Sequence, residues 1–215
     1  MRLFVHIPKN GGQTIRRGLP GRIIVASSGN HISPQYTDQL HNMMAKHEEH
    51  HGNEHARWRD WRKDLRDKYR AFAIVRNPWS RVVSRYTFAR RRKEYQSGKR
   101  SFREFLEERH IYGERPYYWH RPIRGWYQQK DYVTDESGGL RCDVLRFATD
   151  DVCQYFKLSE PLRIRGVSNI AGKDYRDFYG DEEYDIVTDW YQKDIEYFGF
   201  TFDGHATKNI WTPTQ

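Results

Sequence analysis

Three short, mostly apolar runs, each followed at once by turn-forming residues, constrain the fold most strongly. Residues 3–7 end at Pro8, residues 22–26 precede a Ser-Ser-Gly-Asn sequence, and residues 71–75 precede an Arg-Asn-Pro sequence. Runs of this length with such endings are typical of buried strands. Because helical patterns lie between them, the order of elements favours an α/β fold built on a largely parallel sheet.

The remaining strands and the helices are predicted from weaker sequence patterns. Two further short strands are predicted over 131–133 and 144–147. Helices are predicted over 15–19, 34–46, 79–94 and 184–198. The last is the best amphipathic case, because its apolar residues Val187, Trp190, Tyr191, Ile195 and Phe198 repeat at helical spacing.

The composition indicates one folded domain with a basic surface. The 215 residues carry a formal net charge of +8, and their 15% aromatic content offsets a modest hydrophobic content of 37%. We therefore expect a single domain over 1–204 with a C-terminal tail over 205–215. No apolar window approaches the length that spans a bilayer, and no signal-peptide pattern develops before Pro8, so the expected location is the cytoplasm.

The segment 6–14, His-Ile-Pro-Lys-Asn-Gly-Gly-Gln-Thr, directly follows the first predicted strand and leads into a helix. Two glycines allow the backbone to approach an anion closely, and successive N–H groups can point at one phosphate. Lys9 adds a full positive charge, and Thr14 adds a hydroxyl donor near the start of the helix. The simpler interpretation is a Gly-Gly turn beside a surface lysine.

A second candidate anion site follows the strand over 71–75. Asn77 is a good helix N-cap and Pro78 a good first helical residue, so a helix should begin there. Arg76 then lies at the carboxyl end of its strand, where α/β sheets bind ligands, and the Ser84 hydroxyl can meet the same anion. The simpler interpretation is a capped helix with surface arginines. Taken together, the two segments indicate a ligand with phosphates at both ends.

These residues resemble the sulfotransferases that use 3′-phosphoadenosine 5′-phosphosulfate (PAPS), and within them the carbohydrate and glycosaminoglycan branch. The segment 9–14 matches the family loop that holds the 5′-phosphosulfate, and 76–86 matches every fixed position of the segment that holds the 3′-phosphate. The resemblance implies a P-loop-NTPase-like parallel sheet flanked by helices, a PAPS donor, the product 3′-phosphoadenosine 5′-phosphate (PAP), no metal, and a hydroxyl acceptor that is expected to be a glycan. The binding residues that it implies are Lys9, Asn10, Gly11, Gly12, Gln13, Thr14, Arg76 and Ser84.

The sequence departs from the family pattern at two positions. Gln13 stands where relatives usually have Thr or Ser, and Ala148 stands where they commonly have Glu. No membrane anchor precedes the first strand, unlike in Golgi relatives, which implies a bacterial, viral or otherwise cytosolic member.

Sulfuryl transfer needs charge stabilisation on the leaving phosphate and a base for the acceptor hydroxyl. We predict that Lys9 stabilises the leaving group and that His31, which follows the second strand, is the base. A helix-capping His31 without a catalytic role is the competing interpretation. The histidines over 47–55 lie among dense charges without a companion cysteine, which favours a solvated helix over a metal site.

Two other function classes remain open at this stage. A nucleotide kinase or NTPase would share the sheet type, although no G-x-x-x-x-G-K-[S/T] sequence occurs. A non-enzymatic polyanion-binding module would use the positive charge, and its affinity would fall steeply with salt. No recognised nucleic-acid motif occurs, so a nucleic-acid partner is not expected.

Overall fold

A four-stranded parallel sheet organises the chain. The computed structural model describes residues 1–26, 29–34, 53–92, 101–113, 128–165 and 172–213. Its strands are β1 (Arg2–Val5), β2 (Ile23–Val25), β3 (Ala71–Val75) and β4 (Cys142–Arg146), in the spatial order β2-β1-β3-β4. Every pairing is parallel. The predicted α/β class is therefore confirmed.

Helices flank this sheet. They are α1 (Gly12–Gly18), α2 (Lys63–Lys68), α3 (Pro78–Arg92), α4 (Phe102–Gly113), α5 (Gln129–Val133), α6 (Asp151–Phe156), α7 (Asp181–Trp190) and α8 (Gln192–Phe198). Short 3-10 turns lie at Gly29–His31, Asn53–His55, Trp58–Asp60 and Tyr175–Phe178. No helix within the described ranges has the length and apolar character needed to cross a membrane.

Most predicted elements are found, with two corrections. The predicted strand over 131–133 is wrong, because these residues form the last turn of α5, whose first backbone N–H groups are capped by a distant aspartate. The predicted helix over 184–198 is two helices, since Tyr191 departs from helical geometry with φ −109° and ψ 16°. The predicted helix over 34–46 lies, apart from residue 34, outside the described residues.

The strands alternate side chains between two apolar layers. Leu3 and Val5 of β1 pack in the layer that includes residues of α3, α5, α7 and α8, whereas Phe4 packs in the layer with α1 and α6. All five residues of β3 are buried, as expected for a central strand covered on both faces. The sheet is thus enclosed by helices on both sides.

The strand order reverses direction at β1. From β1 the chain moves outward to β2 on one side and then crosses to β3 on the other. The carboxyl ends of β1 and β3 are therefore adjacent, and the helices that follow them, α1 and α3, pack on opposite faces of the sheet. In open α/β sheets, such a switch point is where ligands bind.

Candidate anion-binding site at the β1 and β3 loops

The loop after β1 makes a tight turn that brings backbone close to neighbouring groups. Lys9 and Gly11 both have positive φ values, 68° and 79°. A Cβ at Gly11 would lie 3.0 Å from the Phe147 ring, so glycine is favoured there by conformation and by space. The Gly11 carbonyl accepts hydrogen bonds from the Thr14 and Ile15 N–H groups and starts α1.

A buried histidine forms the floor of this loop. The His6 ring stacks on Phe4 with centroids 5.3 Å apart, and a Cβ at Gly12 would lie 1.7 Å from its Nε2 atom. Burial, followed by the charges of His55, Arg16 and Lys9, lowers the pKa of His6 well below its usual value. The floor of the loop is therefore a neutral imidazole.

The loop after β3 begins α3 as predicted. The Ser80 N–H donates to Asn77 Oδ1 at 3.2 Å, which confirms Asn77 as the N-cap, and the helix starts at Pro78. The Asn77 Nδ2 atom donates to three carbonyl oxygens of residues 201–204 at 2.9–3.0 Å. The C-terminal part of the domain thus holds this loop in place.

Arg76 joins the two loops. Its Nη1 donates to the Lys9 carbonyl oxygen at 3.1 Å, and its Nε and Nη2 donate to Ser80 Oγ at 2.9 and 2.7 Å. The guanidinium lies over the Phe147 ring, 4.5 Å from the centroid. Arg76 is consequently fixed between the loop after β1 and the first turn of α3.

The Arg76 charge is poorly compensated. Burial is the largest effect and the neighbouring Arg81 the next, and together they lower the pKa of Arg76 to about 10, against the opposing effect of Tyr175 and Tyr179. Within the described ranges, no carboxylate lies within ion-pair distance of Arg76. A bound anion would supply the missing countercharge, so this position is suited to phosphate.

Lys9 adds charge on the other side of the same loop. Its Nζ atom lies 4.2 Å from the centroid of the Phe88 ring on α3. The guanidinium carbons of Arg85 and Arg91 lie 5.6 and 5.8 Å from the same ring. Three cations therefore surround one aromatic side chain beside the loop after β1.

The predicted binding residues fall into two groups. Lys9, Asn10 and Arg76 come together where the two loops meet, and the Asn10 Nδ2 donates to the Ile74 carbonyl oxygen at 2.7 Å. By contrast, Thr14 Oγ1 accepts from the Arg165 N–H at 2.9 Å, and Gln13 is exposed. Gly11 and Gly12 shape the turn, as described above.

Ser84 is buried on α3, but the hydroxyl on Arg76 belongs to Ser80, one turn earlier. Sequence reasoning missed Ser80, although its i,i+4 spacing from Arg76 signals the contact. Ala148, which stands where relatives commonly have Glu, has a φ of 58°. Asp151, three residues later, pairs with Arg146 at 2.7 Å.

Two histidines lie near the carboxyl edge of the sheet. His31 is half-buried in a 3-10 turn, with its ring centroid 6.1 Å from that of Trp61. His55 belongs to the 47–55 cluster, for which the sequence predicts a solvated helix, but it lies in a 3-10 turn and is mostly buried. It contacts the loop after β1, because its Nδ1 lies 3.0 Å from the His6 carbonyl oxygen. Glu54 ties the same turn to α1 through Arg16 at 2.9 Å.

The other histidines of the 47–55 cluster lie outside the described residues. Among the residues that are described, no group of three or more His, Cys, Asp or Glu side chains is arranged to hold a metal ion. The Tyr- and Trp-rich segment 117–121 also lies outside the described ranges.

Comparison of the sequence with known protein families identifies the family of this chain. A sequence model described as the sulfotransferase family matches residues 3–141, well over half of the chain and a range that contains both loops. The chain therefore belongs to the sulfotransferase family, whose activity is sulfuryl transfer to a hydroxyl-bearing acceptor. No curated protein and no solved structure gave a significant match.

Proposed function

We propose that the protein transfers a sulfuryl group from PAPS to a hydroxyl of a carbohydrate and releases PAP. The observation that carries this proposal is the contact between the two loops, in which Arg76 Nη1 donates to the Lys9 carbonyl oxygen at 3.1 Å. This contact ties the Arg76 guanidinium to the backbone of the loop that carries Lys9, at the switch point of the sheet. A nucleotide with phosphates at both its 3′ and 5′ positions matches that arrangement.

The residues present fit this donor. Residues 9–14 would hold the 5′-phosphosulfate, because the positive φ values of Lys9 and Gly11 allow successive backbone N–H groups to point at one anion, and Lys9 adds positive charge. Arg76 would hold the 3′-phosphate, with Ser84 of α3 as the predicted hydroxyl partner. The low pKa of Arg76, about 10, supports this role because a phosphate would relieve the repulsion from Arg81.

The reaction requires one bond to form and one to break at sulfur. The acceptor oxygen bonds to sulfur while the bridging oxygen leaves with the electron pair as part of a phosphate. The Lys9 ammonium would stabilise that developing negative charge. The acceptor proton passes to a histidine, whose neutral ring suits this task near pH 7.

Two histidines are candidates for this base. His31 is the candidate from the sequence, and His55 is favoured by its contact with the loop after β1. Because a carbonyl oxygen can only accept, the 3.0 Å contact with His6 places the proton of neutral His55 on Nδ1 and leaves Nε2 able to accept one. Glu54 Oε1, 3.6 Å from that Nε2, would stabilise the protonated ring.

Separate replacement of the two histidines identifies the base. If His55 is the base, His55→Ala lowers kcat by about 100-fold or more and leaves the Kd of PAP nearly unchanged. His31→Ala then keeps most of the activity. If His31→Ala instead loses the activity and His55→Ala keeps it, His31 is the base, as predicted from the sequence.

Thermal unfolding with nucleotides tests the donor. PAP at about a hundredfold over its Kd should add about 2.7 kcal/mol of stability, which raises the Tm of a domain of this size by roughly 5–10 °C. The rise should be lost in Arg76→Ala and kept in Arg70→Ala, because Arg70 immediately precedes the strand that Arg76 follows. An equal rise with ATP or ADP would favour a kinase or NTPase.

Transfer of labelled sulfate from PAPS tests the acceptor class. A carbohydrate acceptor is supported by the branch that the motifs resemble and by the net charge of +8, which suits an anionic glycan. We expect labelled product with polysaccharides rather than with a phenol or a tyrosine peptide. Salt-sensitive polysaccharide binding without PAP binding or transfer would instead indicate a polyanion-binding module.

A further inference from the structure

Gln129, a buried residue at the start of α5, contacts both the loop after β1 (the β1 loop) and the loop after β3 (the β3 loop), together called the phosphate loops. Gln129 is fully buried, and its Oε1 accepts from Asn10 Nδ2 at 2.7 Å and from the Arg76 N–H at 2.9 Å. Its Nε2 donates to the Arg76 carbonyl oxygen at 2.8 Å. One amide side chain therefore bonds to a residue of the β1 loop and to both backbone groups of a residue of the β3 loop.

The position of Gln129 is fixed independently of the loops. Asp194 of α8 accepts from the N–H groups of Gln129 and Lys130 at 2.7 and 2.8 Å. Asp194 is itself completely buried, so water does not compete for these bonds. The amide is thus anchored on a helix that takes no part in either loop.

The chemistry of an amide suits this position. The Arg76 backbone presents one donor and one acceptor, and Asn10 presents a second donor, so the partner must accept twice and donate once. A neutral carboxamide does this within one side chain, whereas a carboxylate lacks the donor. Because the Gln129 side chain is fully buried, a shift of one loop that breaks a bond to it costs the free energy of a buried hydrogen bond, unless Gln129 and the other loop move as well.

We propose that Gln129 is a positioning residue that couples the two phosphate loops, so that occupation of one organises the other. This inference rests on the proposed function, since it takes the ligand to be a nucleotide phosphorylated at both ends. The coupling makes the enzyme selective for nucleotides that carry both phosphates over those that carry one. Gln129 contacts the loops and not the reacting atoms.

Binding of three ligands tests the coupling. PAP carries both phosphates, whereas 5′-AMP and 3′-AMP each carry one, and their Kd values are measured for the wild type, Gln129→Met and Gln128→Met. The matched control, Gln128, is the adjacent glutamine, and its Nε2 donates instead to the Trp190 carbonyl oxygen at 2.5 Å. In Gln129→Met we expect PAP to bind about 5- to 150-fold more weakly, while the one-phosphate ligands change less than about twofold.

The possible outcomes separate this inference from the proposed function. A wild type that binds PAP no better than 5′-AMP would overturn the proposed function. A wild type that prefers PAP, with Gln129→Met weakening all three ligands equally or none of them, would overturn the coupling alone. In Gln128→Met all three affinities are expected to stay at wild-type values.

Hydrogen exchange on the wild type provides a second readout that does not depend on how the variant folds. If the loops are coupled, 5′-AMP bound at the β1 loop slows exchange in the peptide that contains the Arg76 N–H. Slower exchange confined to peptides of the β1 loop would contradict the coupling.

Discussion

Asp194 should give the protein a pH-dependent stability that can be isolated by one substitution. Its carboxylate is completely buried and accepts two backbone N–H groups at the start of α5. Burial raises the pKa of Asp194 from 3.8 to about 6, although the N–H groups of Gln129 and Lys130 and the charge of Arg81 oppose this increase. The folded protein therefore holds this proton more tightly than the unfolded chain does.

The difference between 3.8 and about 6 is worth about 3 kcal/mol at 1.36 kcal/mol per pKa unit. Because the folded state binds the proton more tightly, the free energy of unfolding falls as the pH rises from about 4 to about 6. In Asp194→Asn the side chain cannot titrate. It also has one hydrogen-bond acceptor oxygen fewer, which lowers the free energy of unfolding by an amount that does not vary with pH. The difference in unfolding free energy, variant minus wild type, should therefore rise by about 3 kcal/mol between pH 4 and pH 7.

Urea unfolding at several pH values measures this difference. The comparison must be made between variant and wild type, because a second group also changes the stability with pH. Burial lowers the pKa of His6, so the stability that this residue contributes is lost as the pH falls below 6.5, the opposite direction to Asp194. His6 is present in both proteins, so its contribution cancels. Asp189→Asn, which removes an exposed charge from α7, controls for net charge. A flat or falling difference would refute the reasoning.

Two further substitutions test the loops. Gly12→Ala should destabilise the protein by about 1–3 kcal/mol in urea unfolding, because the added Cβ would lie 1.7 Å from the Nε2 atom of the buried His6 ring. Gly180→Ala is the control and should destabilise the protein less, because its added Cβ would meet only the flexible Glu183 carboxylate, at 3.0 Å. Equal effects of the two would contradict the predicted clash. Asn77→Asp keeps the cap acceptor but turns a carboxylate toward the carbonyl oxygens of 201–204, so we expect the Tm to fall; an unchanged Tm would contradict that geometry.

The sheet and its two loops could be predicted because their signals are local. Short apolar runs that end in Pro or Gly set the strands β1 and β3, and Asn77 followed by Pro78 sets the start of α3. In a parallel sheet, residues that follow neighbouring strands lie at one edge, so the loops that carry Lys9 and Arg76 are adjacent. The 3.1 Å contact between Arg76 Nη1 and the Lys9 carbonyl oxygen was not predicted from the sequence.

The elements that were missed depend on contacts between distant residues. Tyr132 and Val133 read as a short strand, but Asp194 caps that segment as a helix from 64 residues further along the chain. The role of Gln129 likewise depends on partners 53 and 119 residues away. No local pattern marks such a residue, and none distinguishes His55 from the other histidines of its cluster.

The most direct test of the account is the affinity contributed by the 3′-phosphate. Calorimetric titration gives the Kd of PAP and of 5′-AMP for the wild type, Arg76→Ala and the control Arg70→Ala. If Arg76 binds the 3′-phosphate, the wild type and the control should prefer PAP by about 10- to 150-fold, the effect of one buried charged hydrogen bond, and Arg76→Ala should lose that preference. An equal preference in all three proteins, or none in the wild type, would contradict the central claim.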